Sequence, residues 1–457
     1  MNASSTSVAH SPAPTVVPPV APAPGGWRLL AGTLIAGMLL VSIAGALWVV
    51  VPPLAAPLLA WSALALLWPG LRSVQRTQAV VFSTVGVVAL AWGIGRGASP
   101  SIESVLGQNQ TILSMLASIT LLRLLNPPLD DDEPELPRGT GTYVRSMFGV
   151  HALGAVINIS AVIIIADRLT RSVPLTMTQA QLLSRAFSAV AFYSPFIGGV
   201  ALALAYTPGS SALVMMLFGI PLSLVALGLL VWQARSGRVD DIDDFRGYPV
   251  HVDALWLPLG LAAAVLVGAG LTSEYSVLSL ITMLTPLVVG TALLRRGGFG
   301  AVRRALSDYV TRRLPEMGGE LALFLAASVL GAGLVTAIAS GSGWVPFEQL
   351  DAFHASLLLL AFPLTSLLCV HPVIVVSVVA PLTGSINADP TFLAIVFAMG
   401  WGLGCAVNPM SGINLVLQSR YGVSNWAIGR SGVPFSATLY PVAVGLLYVY
   451  DLIVGQS

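Results

Sequence analysis

The sequence contains no lysine, and charged residues of any kind are scarce. Only 9% of its 457 residues are charged, comprising 21 arginines and 20 acidic residues. Soluble domains carry about a quarter charged residues, and so few ionisable groups could not cover the surface of a soluble body of this length. The composition therefore excludes a soluble enzyme, a nucleic-acid-binding protein and a disordered scaffold.

Cysteine is nearly absent as well. The two cysteines, Cys369 and Cys405, both lie in apolar runs, which excludes a disulfide framework and a cysteine-based metal cluster. The chain also lacks a Walker loop, an HExxH motif and a nucleophile elbow. We therefore expect no enzymatic activity, no resident metal and no cofactor.

Apolar residues are what the chain has in excess. They make up 56% of the sequence, and the mean hydropathy is +0.85. Many of the apolar runs are long enough to cross a bilayer as helices, whereas strands of outer-membrane barrels give short, alternating signals. This pattern predicts an all-α polytopic membrane protein in a bacterial-type inner (plasma) membrane.

The order of the apolar runs gives the predicted elements. An uncharged segment rich in Ala, Pro, Ser and Thr at 1–26 is expected to be a disordered tail. Apolar segments follow at 27–51, 54–68, 77–94, 106–125, 141–167, 180–206, 211–233, 254–271, 275–294, 317–339, 353–382, 390–418 and 434–453.

Two of these segments carry helix-breaking residues at or past their centres. The segment at 180–206 contains Ser194-Pro195 and Gly198, and the segment at 390–418 contains Asn408-Pro409 and Gly412. Proline and glycine there free backbone groups that lipid cannot satisfy. Such an interruption is tolerated only where it is packed in protein or lines a wet cavity, so we predict two broken helices.

The two broken helices belong to an internal repeat. The offset of 214 residues that separates Pro195 from Pro409 also separates Gly198 from Gly412, and it pairs Asn158 with Pro372. Repeated interruptions at one ungapped offset predict two copies of one structural unit.

The arginines predict how these copies lie in the membrane. The segments at 141–167 and 353–382 are interpreted as re-entrant hairpins, because this reading places nearly all arginine-rich connections on one side. An odd number of crossings then separates the copies, which inverts the second. We expect about eleven transmembrane helices, a cytoplasmic N-terminus and an external C-terminus. The units are the cytoplasmic tail 1–26, leading scaffold helices 27–97, repeat 1 at 98–234, linking helices and a basic cytoplasmic loop at 235–316, and inverted repeat 2 at 317–457.

Inverted repeats with broken helices near the midplane are typical of transporters. Half-helix N-termini offer positive dipole ends to an anion, and unwound carbonyls can hold a cation. The candidate substrate- and ion-binding residues lie at the hairpin tips and the helix breaks: Asn158, Ser160, Ser194, Pro195, Gly198, His371, Pro372, Asn408, Pro409, Ser411 and Gly412. For His371 two readings stand, a packed histidine bonded to backbone and a group that binds protons or substrate. His151 is read as structural, and Asp167 with Arg168 as a solvated pair at the cytoplasmic edge of the first hairpin. Arg185 either attracts an anion at the start of the broken helix or, in the favoured reading, keeps its stem in lipid and its charge at the water boundary.

This layout resembles the ion transporter superfamily, which includes divalent anion/sodium symporters, arsenite-efflux permeases and sodium/proton antiporters. Leading scaffold helices, a hairpin, a broken helix and an inverted copy are most similar to the symporter branch. Those symporters carry Ser-Asn-Thr at each hairpin tip. Here the tips read Val156-Ile157-Asn158-Ile159 and Val370-His371-Pro372-Val373. Only Asn158 matches by type, which favours protons over sodium as the coupling ion.

The sequence thus predicts a secondary active transporter for a small, anionic organic solute, coupled to protons or sodium. One alternative is the membrane subunit of a binding-protein-dependent, tripartite-type permease. The other is a membrane-embedded transferase, which the short loops disfavour. The expected partners are the small-molecule substrate and the lipid bilayer, without nucleic acid, and a homodimer is left open.

Overall fold

The computed structural model describes residues 26–47, 50–125, 136–171, 173–248, 256–272, 274–341, 348–386 and 388–454. The tail expected at 1–26 lies almost entirely outside these ranges. The C-terminal end, which we expect on the external side, lies outside them as well. Within them the chain is helical, and the one β-type contact is an isolated antiparallel bridge between Arg138 and Arg246. The all-α prediction is therefore confirmed.

The leading helices follow the first apolar runs. They are α1 (Gly26–Leu47), α2 (Ala55–Leu67) and α3 (Ser73–Gly95). The single helix expected at 106–125 is instead split into α4 (Ile102–Gly107) and α5 (Gln110–Thr120), which ends in a 3-10 turn at Leu121–Leu125. The split has a tertiary cause, since Asn109 donates from its side chain to the Phe324 carbonyl (2.9 Å) and from its backbone to Ser328 Oγ (3.1 Å).

The first hairpin and broken helix form as predicted. The hairpin arms are α6 (Thr140–Ile157) and α7 (Ser160–Leu169). The broken helix consists of α8 (Met177–Ser188), a 3-10 turn at Ala189–Phe192, a non-helical stretch and α9 (Gly198–Tyr206). Helix α10 (Ala212–Arg235) follows.

The linking region differs from the prediction in one respect. It contains α11 (Trp256–Leu271) and α12 (Val277–Asp308). The basic connection expected as a loop is mostly a continuation of α12, which kinks at Gly297 and Gly298, the latter with a φ of +65°. Short π and 3-10 turns at Tyr309–Arg313 and Leu314–Met317 lead into α13 (Gly318–Ala339).

The second copy repeats the hairpin and the break. Its elements are α14 (Ala352–Leu367), α15 (Pro372–Thr383), α16 (Pro390–Val407), α17 (Gly412–Tyr421) and α18 (Asn425–Val454), with a 3-10 turn at Gly384–Ile386. Helix α18 begins nine residues earlier than the predicted 434 because Pro434 and Pro441 lie inside it rather than before it. Prolines inside helices are tolerated in membranes, where neighbouring elements compensate for the lost hydrogen bonds.

Helix length and surface chemistry both indicate a multi-pass membrane protein. Among the described residues, 7 helical segments are long and apolar enough to cross a membrane, and shorter apolar helices accompany them. Large apolar side chains face outward, for example Val81, Val85 and Val88 on α3, each about half exposed. A soluble protein would cover such a surface, whereas lipid accepts it.

Close backbone contact joins the leading helices to the second copy. A Cβ atom added at Gly86 of α3 would lie 2.5 Å from the Val329 carbonyl oxygen of α13, and one added at Gly333 would lie 2.2 Å from the Gly86 oxygen. Small residues permit this approach, which supplies the van der Waals packing that drives helix association in lipid.

We expect Gly86→Ala to destabilise the protein by about 1–3 kcal/mol, because the new methyl group overlaps a backbone carbonyl that cannot move aside. The matched control is Gly290→Ala in α12, where an added Cβ meets nothing within 4 Å; it should be neutral or slightly stabilising. Unfolding of both variants in detergent micelles measures this. Equal stability of the two would contradict the packing described.

Candidate functional site

Each hairpin tip turns on a residue with a positive φ. Asn158, between α6 and α7, has a φ of +57°, and Cys369, between α14 and α15, has a φ of +63°. The ψ of −146° places Asn158 outside the left-handed helical region, in a conformation that glycine adopts far more readily than other residues. Here Asn158 Oδ1 accepts from the Ile159 N–H at 2.7 Å.

The first tip is hydrogen-bonded to the first helix break. Asn158 Nδ2 donates to the Phe196 carbonyl at 3.2 Å, and Ser194 Oγ donates to the Ala155 carbonyl. Pro195 lies between these partners and has no N–H of its own to satisfy. A side chain of the tip thus bonds the backbone of the break, and a side chain of the break bonds the backbone of the hairpin.

The second tip is joined to the second break in the same way. Asn408 Nδ2 donates to the Val370 carbonyl at 3.0 Å, and Asn408 Oδ1 accepts from the Met410 N–H at 2.8 Å. Pro372 is the first residue of α15, a position at which its missing N–H costs nothing.

These contacts follow the repeat offset to within one residue. Ser194 and Asn408 are equivalent positions, and each bonds a backbone carbonyl of its own hairpin. The acceptors are Ala155, near the end of α6, and Val370, in the tip after α14, and Val370 lies one residue beyond the position equivalent to Ala155. Gly198 and Gly412 are likewise equivalent, and they are the first residues of α9 and α17. The pairing read from the sequence is therefore also a pairing of contacts.

Side chains also connect the two copies to each other. The His371 ring at the second tip meets the Trp401 ring of α16 edge-on, with centroids 5.3 Å apart. Trp401 in turn covers Gly199 at the start of α9, where a Cβ atom would lie 2.1 Å from its ring. At the first tip, the Ile159 side chain lies 3.9 Å from the position of a Cβ atom at Gly412. Each tip is thus bonded to its own break and packed near the other.

His371 has a defined hydrogen bond. Its Nδ1 accepts from the Val373 N–H at 3.2 Å and caps α15. An accepting Nδ1 carries no proton, so this bond exists only in the neutral tautomer that is protonated at Nε2. Protonation of Nδ1 would remove the cap, and both readings of this residue therefore remain open.

Most of the predicted site residues are buried in the protein interior. Ser160, Ser194, Pro195, Pro372 and Asn408 are buried, as are Pro409 and Ser411. None of the predicted residues lines either of two cavities, a larger one of about 530 Å³ and a smaller one of about 280 Å³ between α1, α2, α5 and α12. Ser411 Oγ is buried without a hydrogen-bond partner, so this break retains one unused polar atom.

Sequence reasoning missed three residues that complete the second break. Asn414 Nδ2 donates to the Asn408 carbonyl (2.9 Å), and Asn425 Nδ2 donates to the Pro409 carbonyl (3.0 Å). Ser184 of α8 donates to Asn414 Oδ1 at 2.8 Å, which joins the first broken helix to the second. The available signal was the presence of asparagines shortly after a break in an apolar chain.

Two other polar residues have structural partners. His151 bonds the Ala186 carbonyl through Nδ1 at 3.0 Å, in agreement with the structural role that the sequence favours for it. Asp167, expected as a solvated group at the end of the hairpin, is 37% exposed at its side chain and also accepts from the Tyr421 hydroxyl of α17 at 2.6 Å. This bond ties the first hairpin to the second broken helix.

No family model matches the chain, and no curated protein sequence matches it. Among solved structures, the YdaH transporter of Alcanivorax borkumensis is similar, with a TM-score of 0.48, 16% identity, and coverage of 82% of this chain and 98% of that one. MtrF of Neisseria gonorrhoeae, described with a class of antimetabolite efflux pumps, has a TM-score of 0.43 and 12% identity, and the similarity covers 83% of this chain and 96% of that one. Similarity at this level does not define which residues correspond.

The second break allows a matched test of its hydrogen bonds. Asn408→Ala leaves the Val370 carbonyl and the Met410 N–H without their partner, and it should cost about 2–4 kcal/mol of stability. Ser411→Ala removes an equally buried hydroxyl that bonds nothing, and should change stability by less than about 0.5 kcal/mol. Denaturant unfolding in micelles compares them. A loss in Ser411→Ala as large as that in Asn408→Ala would show that burial, rather than bonding, decides stability there.

Proposed function

We propose that this chain is a secondary active transporter that moves a small anionic organic solute across the inner membrane. The observation that carries the proposal is the pair of equivalent junctions between hairpin tip and helix break. Interrupted backbone inside an apolar protein is costly to satisfy, and transporters use such breaks to build their substrate and ion sites. The same arrangement of elements supports membership of the ion transporter superfamily.

The lengths of the hairpin arms support a re-entrant arrangement. Helix α7 has 10 residues and α15 has 12, which correspond to about 15–18 Å of helix. The hydrocarbon core is about 30 Å thick, so the second arm of each hairpin, α7 or α15, is too short to span it. We infer that both hairpins enter and leave on one side of the membrane, with their tips near the midplane.

Four helix N-termini at the tips and breaks favour an anion. Helices α7, α9, α15 and α17 begin at Ser160, Gly198, Pro372 and Gly412, and the start of a helix carries partial positive charge. Ser411 immediately precedes α17, and its unpaired hydroxyl is available to a bound oxygen atom. A carboxylate that reached this break would find hydrogen-bond donors there. The break contains no aspartate or glutamate that would repel it.

The cap that His371 forms supports coupling to protons rather than sodium. Protonation at Nδ1 would release the Val373 N–H and place a cation beside Trp401. Burial of that charge is unfavourable without a counter-ion, and the solute anion can supply one. Proton and solute would then each favour the binding of the other, as symport requires.

Transport into proteoliposomes tests this function. A thermal-stabilisation panel of organic acids, with and without sodium, first identifies the solute. We then expect an imposed pH gradient alone to drive its accumulation, and His371→Gln to lose that response because glutamine does not titrate. His354→Gln is the matched control, since His354 lies on the first turn of α14 and pairs with Asp351 at 2.7 Å.

Two outcomes would contradict the proposal at different levels. Accumulation driven by sodium at constant pH, and unchanged in His371→Gln, would refute proton coupling and leave the transporter intact. Absence of any solute-dependent stabilisation or flux across the panel would refute the transport of small organic acids itself.

A further inference from the structure

The larger cavity lies away from the hairpin tips, at the end of the molecule where α6 and α8 begin and α10 ends. Its volume is about 530 Å³, and α18 closes its remaining side. Exposed residues of the connection after α10, Arg238, Asp240 and Asp241, also line it. The cavity therefore reaches the surface on the side that carries the arginine-rich connections.

An arginine without an acidic partner lies in this cavity. Arg185 of α8 lines it, and its Nη2 donates to the Ser431 carbonyl of α18 at 2.7 Å. Its Nε is buried without an acceptor. Asp240 and Asp241 line the same cavity, yet neither forms an ion pair with Arg185 in the described structure. One neutral carbonyl is thus the hydrogen-bond partner of a largely enclosed guanidinium.

The sequence leaves two readings for Arg185: attraction of an anion at the start of the broken helix, or, as the favoured one, a stem in lipid with the charge at the water boundary. In the structure the guanidinium is held between α8 and α18, which agrees with the first reading better than with the second. An enclosed cation that lacks a counter-ion is unfavourable for folding. In a membrane protein such a residue indicates a functional site by default.

We propose that this cavity binds the oxyanion group of a small organic acid, with Arg185 as its counter-charge. Arginine suits this role because its planar fork matches carboxylate geometry. Thr178 and Gln181 offer neutral donors on the same face of α8, and Phe435 with Met177 offers apolar surface for an organic body. Inorganic sulfate shares the oxyanion chemistry but has no apolar body to use that surface.

The position of the cavity connects it to the breaks. Ser184, the residue before Arg185, donates to Asn414, and Asn414 donates to the Asn408 carbonyl. An anion bound at Arg185 would therefore be one residue from the contact that joins the two broken helices. The identity of the ligand in this inference rests on the proposed function. The cavity would then be a vestibule between the arginine-rich surface and the breaks.

A thiol placed in the cavity tests binding without transport. Val239→Cys in a Cys369→Ala, Cys405→Ala background carries a single cysteine, at a lining residue whose side chain has no role in binding the anion. Its alkylation by a neutral maleimide is followed in the full-length purified chain at constant ionic strength. We expect butyrate to slow the reaction in a saturable manner, butyramide to have no effect, and sulfate to protect less well than butyrate.

Substitution of the arginine identifies the counter-charge. Arg185→Gln should raise the half-protecting concentration of butyrate by at least about tenfold, since hydrogen bonds between charged groups are worth that much. Arg185→Lys should retain part of the protection. Arg235→Gln, an exposed arginine at the end of α10 that does not line the cavity, should leave it unchanged.

Four results would overturn the proposal: no protection by butyrate, equal protection by butyramide, protection that survives Arg185→Gln, or protection by sulfate alone. Because the readout requires no flux, it separates the two proposals. Protection without transport would support this site while the proposed function failed, and transport without protection would do the reverse.

Discussion

Every backbone group that the two helix breaks release from helical bonding must find a partner inside the protein, because lipid provides none. The chain meets this constraint with a few short polar side chains. Ser194 and Asn158 connect the first break to its hairpin tip. At the second break Asn408 reaches the tip, while Asn414 and Asn425 bond the carbonyls that the interruption frees. The broken helices can persist in apolar surroundings because these few amides and hydroxyls are present.

The same contacts link the parts of the molecule mechanically. A tip that moves must break bonds to its own break. Trp401 and Ile159 lie against the other copy, at Gly199 and Gly412 respectively. Ser184 carries the connection onward to α8, next to Arg185 and the cavity. The tight contact of α3 with α13 gives a scaffold against which such movement can occur.

Sequence reasoning predicted the helices, hairpins and breaks because each has a local signal. Pro195 and Pro409 interrupt apolar runs, and one offset relates them. The split between α4 and α5 had no such signal. Its cause is the bonding of Asn109 to Phe324 and Ser328, which lie 215 and 219 residues further along the chain. The enclosure of Arg185 was hidden for the same reason, because α18 and not α8 decides whether that side chain meets water. The start of α18 was misplaced because proline reads as a boundary in a sequence, although packing can hold it within a helix.

Hydrogen exchange tests the central claim, that shared hydrogen bonds hold each hairpin tip to its helix break, most directly. Exchange would be followed by mass spectrometry for both tips, 154–160 and 366–373, and for both breaks, 193–198 and 407–412, with the protein in lipid. At rest these amides should exchange slowly. Addition of the organic acid whose transport we propose should change all four segments in parallel, while α3 and α13 remain protected. A change in exchange rate at one tip without a change at its break would contradict the account. So would exchange rates that are the same with and without the solute.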